Sequence, residues 1–164
     1  MDKLWAPWRV RYVTKIIGQT KGCVFCRILK ARQDKKNYIF VRTKHSFAVL
    51  NIYPYNNGHT LIVPNRHAKD LDRLTKVERE DLIQLLIYSR RLLDKVLKPA
   101  GYNIGINLGR ISGAGIPGHL HIHVVPRWRG DVNFMPVTAQ IKVISQSLKA
   151  LFDKLWEAHR KRSF

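Results

Sequence analysis

Apolar and polar positions along the chain change period several times, and each change marks an element. Cys23 to Ala31 places Phe25, Ile28 and Leu29 in one stripe at helical spacing, which predicts a short helix. Tyr38 to Arg42 and Ser46 to Asn51 are compact β-branched and aromatic runs. The turn residues Pro54-Tyr-Asn-Asn-Gly58 then lead into Thr60-Leu-Ile-Val63, so the latter two runs are predicted to form a hairpin. Thr75-Lys-Val-Glu78 has the spacing of a capping box, and Leu82, Leu85, Leu86, Leu92, Leu93 and Val96 carry a long amphipathic helix until Pro99 and Gly101 stop it. Tyr102 to Leu108 reads as a further strand, followed by a loop from Gly109 to Gly118. Ile141, Ile144, Leu148, Leu151, Phe152 and Leu155 predict a last helix over about Pro136 to His159.

Between that loop and the last helix, Gly-His119-Leu-His121-Ile-His123-Val-Val-Pro-Arg127 alternates strictly. In an extended strand alternate side chains share a face, so three imidazoles should line one side at about 7 Å per step. Leu120, Ile122 and Val124 then enter a core on the other side. Histidine changes charge near neutral pH and serves as nucleophile, acid, base or metal ligand, so such a row points to chemistry. Strands in hairpin succession with helices between and after them predict an α+β domain with an antiparallel sheet.

At 164 residues and 45% apolar content the chain suffices for one domain and one core. No early stretch has the apolar centre of a signal peptide and no run approaches a membrane span, so a cytoplasmic protein is expected. The formal charge of +19 attracts phosphate-bearing partners of any kind. Trp5, Trp8 and Trp128 among arginines also fit a basic nucleic-acid binder. The histidine pattern weighs against that reading and for chemistry on a bound ligand.

Two constellations refine the chemistry. Gly113-Ala-Gly115-Ile-Pro-Gly118 directly precedes the histidines and can offer backbone N–H groups to an anion. Cys23-x-x-Cys26 is half of a zinc site or a redox dithiol. A zinc site would need two more ligands, for which His67 and one of the alternating histidines are available. A catalytic metal on all three histidines is weaker, because the nearest carboxylate, Asp131, lies well downstream.

His119-Leu-His121-Ile-His123-Val-Val resembles the signature of the histidine triad superfamily of nucleotidyl hydrolases and transferases. Ser46-Phe-Ala-Val-Leu-Asn51-Ile-Tyr-Pro54 and Gly58-His59-Thr-Leu-Ile-Val-Pro64, with His67 soon after, agree with it, so the similarity covers about residues 22 to 130. Trp5-Ala-Pro-Trp8-Arg and Pro126-Arg-Trp128-Arg-Gly-Asp131-Val-Asn133-Phe-Met-Pro136 resemble the bacterial branch of diadenosine tetraphosphate phosphorylases. The resemblance implies a single domain over 1–164 with a five-stranded antiparallel sheet, a long middle helix and a C-terminal helix, and an N-terminal arm over 1–21.

It further implies that His121 is the nucleophile towards the α-phosphorus. His123 and the Gly113, Gly115 and Gly118 loop would hold phosphate oxygens, His59 is a further active-site histidine, and His59 or His123 would assist the leaving group. Zinc-containing relatives would place a structural Zn²⁺ on Cys23, Cys26, His67 and His119. Asn51 stands where relatives contact ribose, Val24, Phe25 and Ile52 surround the base, and Asn107 lies near the phosphates. Gly115 and Ile116 depart from the Gln and Ser/Thr of many relatives. That loss suits inorganic phosphate as the acceptor better than water, with a hydrolase or a nucleoside phosphoramidase as alternatives. Relatives are homodimers, and the apolar face of the long helix is a candidate interface.

Overall fold

The computed structural model describes residues 22–109, 111–131 and 144–161. In chain order these form α1 (Val24–Ala31), α2 (Asp34–Asn37), β1 (Ile39–Arg42), β2 (Ser46–Leu50), β3 (Thr60–Pro64), a 3-10 turn at Leu71–Arg73, α3 (Lys76–Leu97), β4 (Gly101–Ile106), β5 (Ile122–Arg127) and α4 (Leu148–Arg160). The strands make one antiparallel sheet in the order β1-β2-β3-β5-β4. No described helix is long and apolar enough to cross a membrane.

Both faces of the sheet are covered at β2 and β3, and strand periodicity decides which residue goes where. Ala48, Leu50, Ile62, Ile122 and Val124 join Leu82, Leu85, Leu92 and Leu93 of α3 and Leu151, Phe152 and Leu155 of α4 in the larger core. Phe47, Val49, Leu61 and Val63 project the other way and pack with Phe25, Ile28 and Leu29 of α1. This double burial explains why all five residues of β2 and of β3 are buried rather than every second one. Leu61 is the cross-strand partner of His123, so His123 stands on the α1 face.

The long helix begins where expected. Thr75 Oγ1 accepts the Glu78 N–H and Glu78 returns a carboxylate oxygen to the Thr75 N–H at 2.8 Å. Arg66 adds two hydrogen bonds to that carboxylate, at 2.6 and 2.7 Å. These partners, Arg66 foremost, lower the Glu78 pKa from 4.5 to about 2. A folded-state pKa below the unfolded value adds stability above pH 4.5 and loses it between 4.5 and about 2. Glu78→Gln should therefore cost about 1–2 kcal/mol at neutral pH, after solvent screening, and almost nothing near pH 2. Urea unfolding of both proteins across that range measures the convergence.

Three expectations are corrected. The last helix does not reach back to about Pro136 through Ile144: residues 144–147 are non-helical and Ser147 caps the start, its Oγ accepting the Ala150 N–H. Positions 136–143, like the arm over 1–21 with Trp5 and Trp8, lie outside the described residues. The histidines do not share one regular strand, because β5 starts at Ile122 and His119 and His121 sit in the segment leading into it. The apolar face of α3, offered as a dimer surface, is consumed by the sheet: Leu82, Leu92 and Leu93 are fully buried.

The β2–β3 connection turns at Gly58, which has φ +76°. A Cβ there would come within 2.5 Å of Leu97 Cδ1 and 3.1 Å of Pro126 Cγ, so any other residue would both strain the backbone and push the Leu97 side chain aside.

Candidate active site and adjoining metal-ligand cluster

His121 is buried at 5% exposure, and its Nδ1–H donates to the backbone carbonyl of His119 at 2.8 Å. A carbonyl only accepts, so this bond fixes the proton on Nδ1 and leaves the Nε2 lone pair bare. Burial lowers the His121 pKa, which favours the neutral ring that a nucleophile needs. Phe25 wedges its ring against both His119 and His121, with centroids 5.3 and 5.2 Å away.

His123 packs 4.9 Å from His121, ring centroid to centroid. Its partner is fully buried His59, whose Nε2 lies 2.9 Å from His123 Nδ1. The Tyr55 N–H donates to His59 Nδ1 at 3.0 Å. An amide N–H cannot accept, so the neutral His59 ring carries its proton on Nε2 and donates it to His123 Nδ1. His123 is thereby left with its own proton on Nε2. The Tyr55 ring lies over both, 4.7 Å from His59 and 5.9 Å from His123 with a 16° interplanar angle to the latter.

Beside the His123 ring the sheet is open. Its β4 partner is Gly105, where a Cβ would meet nothing within 4 Å. Two residues further on, Asn107 shares that face, half-buried, one step past the Ile106–Ile122 pair. Asn51 reaches His59 Nδ1 with its Nδ2 at 3.3 Å, and its Oδ1 accepts the Tyr53 N–H. Ile52 is 56% exposed while Phe25 is 3% exposed, so Phe25 serves the core and the histidines at once. In the glycine loop Gly113 (φ +86°) and Gly118 are exposed and Gly115 is half-buried. Ile116 packs against the α1-side core, which gives the departure at that position an apolar role.

The remaining histidine of the alternation faces elsewhere. His119 Nε2–H donates to the Pro64 carbonyl at 2.9 Å, which turns Nδ1 towards Cys23 Sγ (3.2 Å), Cys26 Sγ (3.6 Å) and His67 Nδ1 (3.3 Å). Cys26 Sγ and His67 Nδ1 are 3.4 Å apart, and all four donor atoms lie within 4.8 Å of one another. A tetrahedral zinc with bonds of about 2.3 Å to sulfur and 2.0–2.1 Å to nitrogen separates its ligand atoms by about 3.3–3.8 Å, so this donor set fits the ion. Cys23 caps α1 and Cys26 follows one turn later, so the helix puts both sulfurs on one side. Burial, first, holds the His119 pKa down at about 4, which favours the neutral, ligating ring. Convergence with two imidazoles argues against an isolated redox dithiol.

The sequence points to His59, His121 and His123 together and to the four candidate metal ligands, and the structure brings each set together. Sequence reasoning missed Tyr55, Gly105, Asn56 and the Pro64 carbonyl, whose roles depend on pairing across the sheet. An aromatic among the turn residues 54–58 was the one local signal for Tyr55.

Comparison with known proteins agrees with this geometry. The family description "HIT domain" matches residues 32–130. A Mycobacterium tuberculosis protein called AP-4-A phosphorylase is 36% identical over 156 residues, spanning 91% of this chain and 80% of its own. The asymmetrical bis(5'-nucleosyl)-tetraphosphatase of Schizosaccharomyces pombe is 37% identical over 93 residues, 57% of this chain and 50% of its own. Among solved structures, a Zn-bound histidine triad family protein from Mycobacterium smegmatis superposes with TM-score 0.68 at 24% identity, covering 85% of this chain and 94% of its own.

Proposed function

The chain belongs to the HIT domain family, and on that premise we propose that it is a nucleotide-processing enzyme that cleaves dinucleoside polyphosphates at an α-phosphate, with inorganic phosphate as acceptor. The observation that carries this reading is the His121 ring, buried and held by the His119 carbonyl through Nδ1–H, which leaves the Nε2 lone pair bare.

In the first step the Nε2 lone pair of His121 forms a bond to the α-phosphorus. The bond from that phosphorus to the bridging oxygen breaks, and the electron pair leaves with the polyphosphate. His123 donates a hydrogen bond from Nε2–H to the departing oxygen, and the backbone N–H groups of the Gly113–Gly118 loop meet the non-bridging oxygens. The ring of the nucleotidyl-histidine is cationic, and the His119 carbonyl against Nδ1–H stabilises it. In the second step a phosphate oxygen attacks the same phosphorus and the electron pair of the P–N bond returns to Nε2. Asn51 would hold the ribose and Val24, Phe25 and Ile52 the base, with Asn107 near the phosphates.

Cys23, Cys26, His67 and His119 would hold a structural zinc, the ion bound by the M. smegmatis neighbour. Two thiolates neutralise its charge, so it braces the chain and leaves the chemistry to the histidines. Homodimeric assembly belongs to the same proposal and is read by sedimentation equilibrium.

Phosphate as acceptor is supported by the name of the M. tuberculosis relative and by apolar Ile116. The S. pombe relative's name supports water instead. Products separate them. With diadenosine tetraphosphate and phosphate, ADP plus ATP is expected by chromatography; AMP plus ATP in unchanged amount with and without phosphate would make the enzyme a hydrolase. A nucleoside phosphoramidate assayed alongside should turn over more slowly.

A further inference from the structure

Beyond β5 the backbone turns at Trp128 to Asp131, and Asp131 points back into the molecule with its side chain only 8% exposed. Its carboxylate collects four donors: Arg127 Nε and Nη2 at 2.6 and 2.8 Å, the Trp128 N–H at 3.1 Å and Asn56 Nδ2 at 2.7 Å. Arg127 is itself held by Asn103 Oδ1 at 2.6 Å. Asn56 Nδ2 also donates to the Pro126 carbonyl at 3.0 Å.

That last bond lies where β3 has run out. The β3–β5 ladder ends at Thr60–Val124, so beyond Val124 this edge of β5 lacks a strand partner among the described residues. Pro126 has no N–H to satisfy there, and the Asn56 amide meets its carbonyl. Asn56 belongs to the turn that carries Tyr55 and His59, and its own carbonyl accepts the His59 N–H at 3.1 Å. The turn bearing His59 and the strand bearing His123 are thus tied through the ladder, through the Asn56 bond to the Pro126 carbonyl, and through Asp131.

We propose that Asp131, acting through Asn56, is a positioning residue for the His59–His123 pair: it holds the turn so that the Tyr55 N–H meets His59 Nδ1 and both rings keep their proton on Nε2. The inference rests on the reading of His123 as donor to the departing oxygen. A turn free to shift would release the Tyr55 bond, and either ring could then carry its proton on Nδ1, leaving His123 with a lone pair facing the developing negative charge.

The test combines 15N spectra of the histidine rings with steady-state kinetics on diadenosine tetraphosphate plus phosphate, for wild type, Asp131→Ala, Asn56→Ala and Asp131→Asn. Wild type should show the Nε2–H form at His59 and His123. Both alanine variants should show mixed forms, with kcat down about 10–100-fold and KM moving less than about threefold. Asp131→Asn keeps the shape and one acceptor oxygen, and should recover most of kcat. Wild-type ring forms in the alanine variants, or a fall in kcat no larger than the unfolded fraction seen by circular dichroism, would overturn the positioning role. A wild type that shows these ring forms, and loses them in the variants, yet turns over no nucleotide would overturn the reaction assigned above and leave the positioning intact.

Discussion

Replacing His121 by alanine is expected to lower turnover of diadenosine tetraphosphate by about 10⁴- to 10⁶-fold, the range seen when a covalent nucleophile is removed. Binding should survive, because the ribose, base and phosphate contacts assigned above lie on other residues, so KM or an equilibrium Kd should move far less than kcat. Folding should survive too. The lost ring packs beside Phe25 at the edge of the smaller core, while the larger core between the sheet, α3 and α4 is untouched. Mass spectrometry of acid-labile adducts, quenched during turnover at high pH, should find a nucleotidyl group on the wild-type chain alone. His123→Ala removes a hydrogen bond rather than the attacking atom, and should cost about 10²- to 10⁴-fold, the scale of a single transition-state donor. Turnover of His121→Ala within tenfold of wild type, or an adduct on another residue, would remove the central step.

Removal of the zinc proposed at Cys23, Cys26, His67 and His119 is expected to have the second large effect. Apo protein prepared by chelation, and the Cys23→Ser and Cys26→Ser variants, are expected to lose about 3–5 kcal/mol of stability, or about 10–15 °C in Tm for a chain of this size. The four candidate ligands join α1, the segment after β3 and the segment before β5, adding to the apolar cluster around Phe25 and to the bonds from the Leu120 N–H to the Ala68 carbonyl and from His119 to the Pro64 carbonyl. Zinc should reverse the loss for the chelated protein and not for the serine variants. His119 gives the loss a catalytic echo: its ring faces the metal ligands while its carbonyl orients His121, so kcat should fall as well. Elemental analysis finding no zinc in protein purified without chelator, together with a Tm indifferent to chelation, would refute the assignment.

The parts of this molecule legible from sequence are those set by near neighbours. Thr75 and Glu78 are three residues apart, and the capping box they announce is where α3 begins. The turn before Thr60 announced the β2–β3 hairpin, since closure of a short loop needs little beyond its own residues. Alternation misled at the histidines for a physical reason. Identical spacing predicts identical direction, but the Pro64 carbonyl captures the His119 ring for the cysteine side, and the ladder starts only at Ile122. The last helix was overextended because Ile141 and Ile144 continue the apolar period, while Ser147 offers the orphan N–H groups a cap and ends the pattern. The Asn56–Asp131 bond spans 75 residues and leaves no local trace. The cysteine spacing left His67 and one of the three alternating histidines to complete the set, and it was the family resemblance that singled out His119.

Gly58 sits tightly against the side chains of Leu93 and Leu97 at the end of α3 and of Pro126 in β5, and the next residue is His59. The crowding couples two regions usually treated as separate. Enlarging Leu93, Leu97 or Pro126 to improve the interior would press on this one bare backbone atom and tilt the imidazole that follows. Efforts to stabilise the enzyme by filling its centre should therefore spare that corner, where thermal robustness and catalytic alignment trade directly against each other.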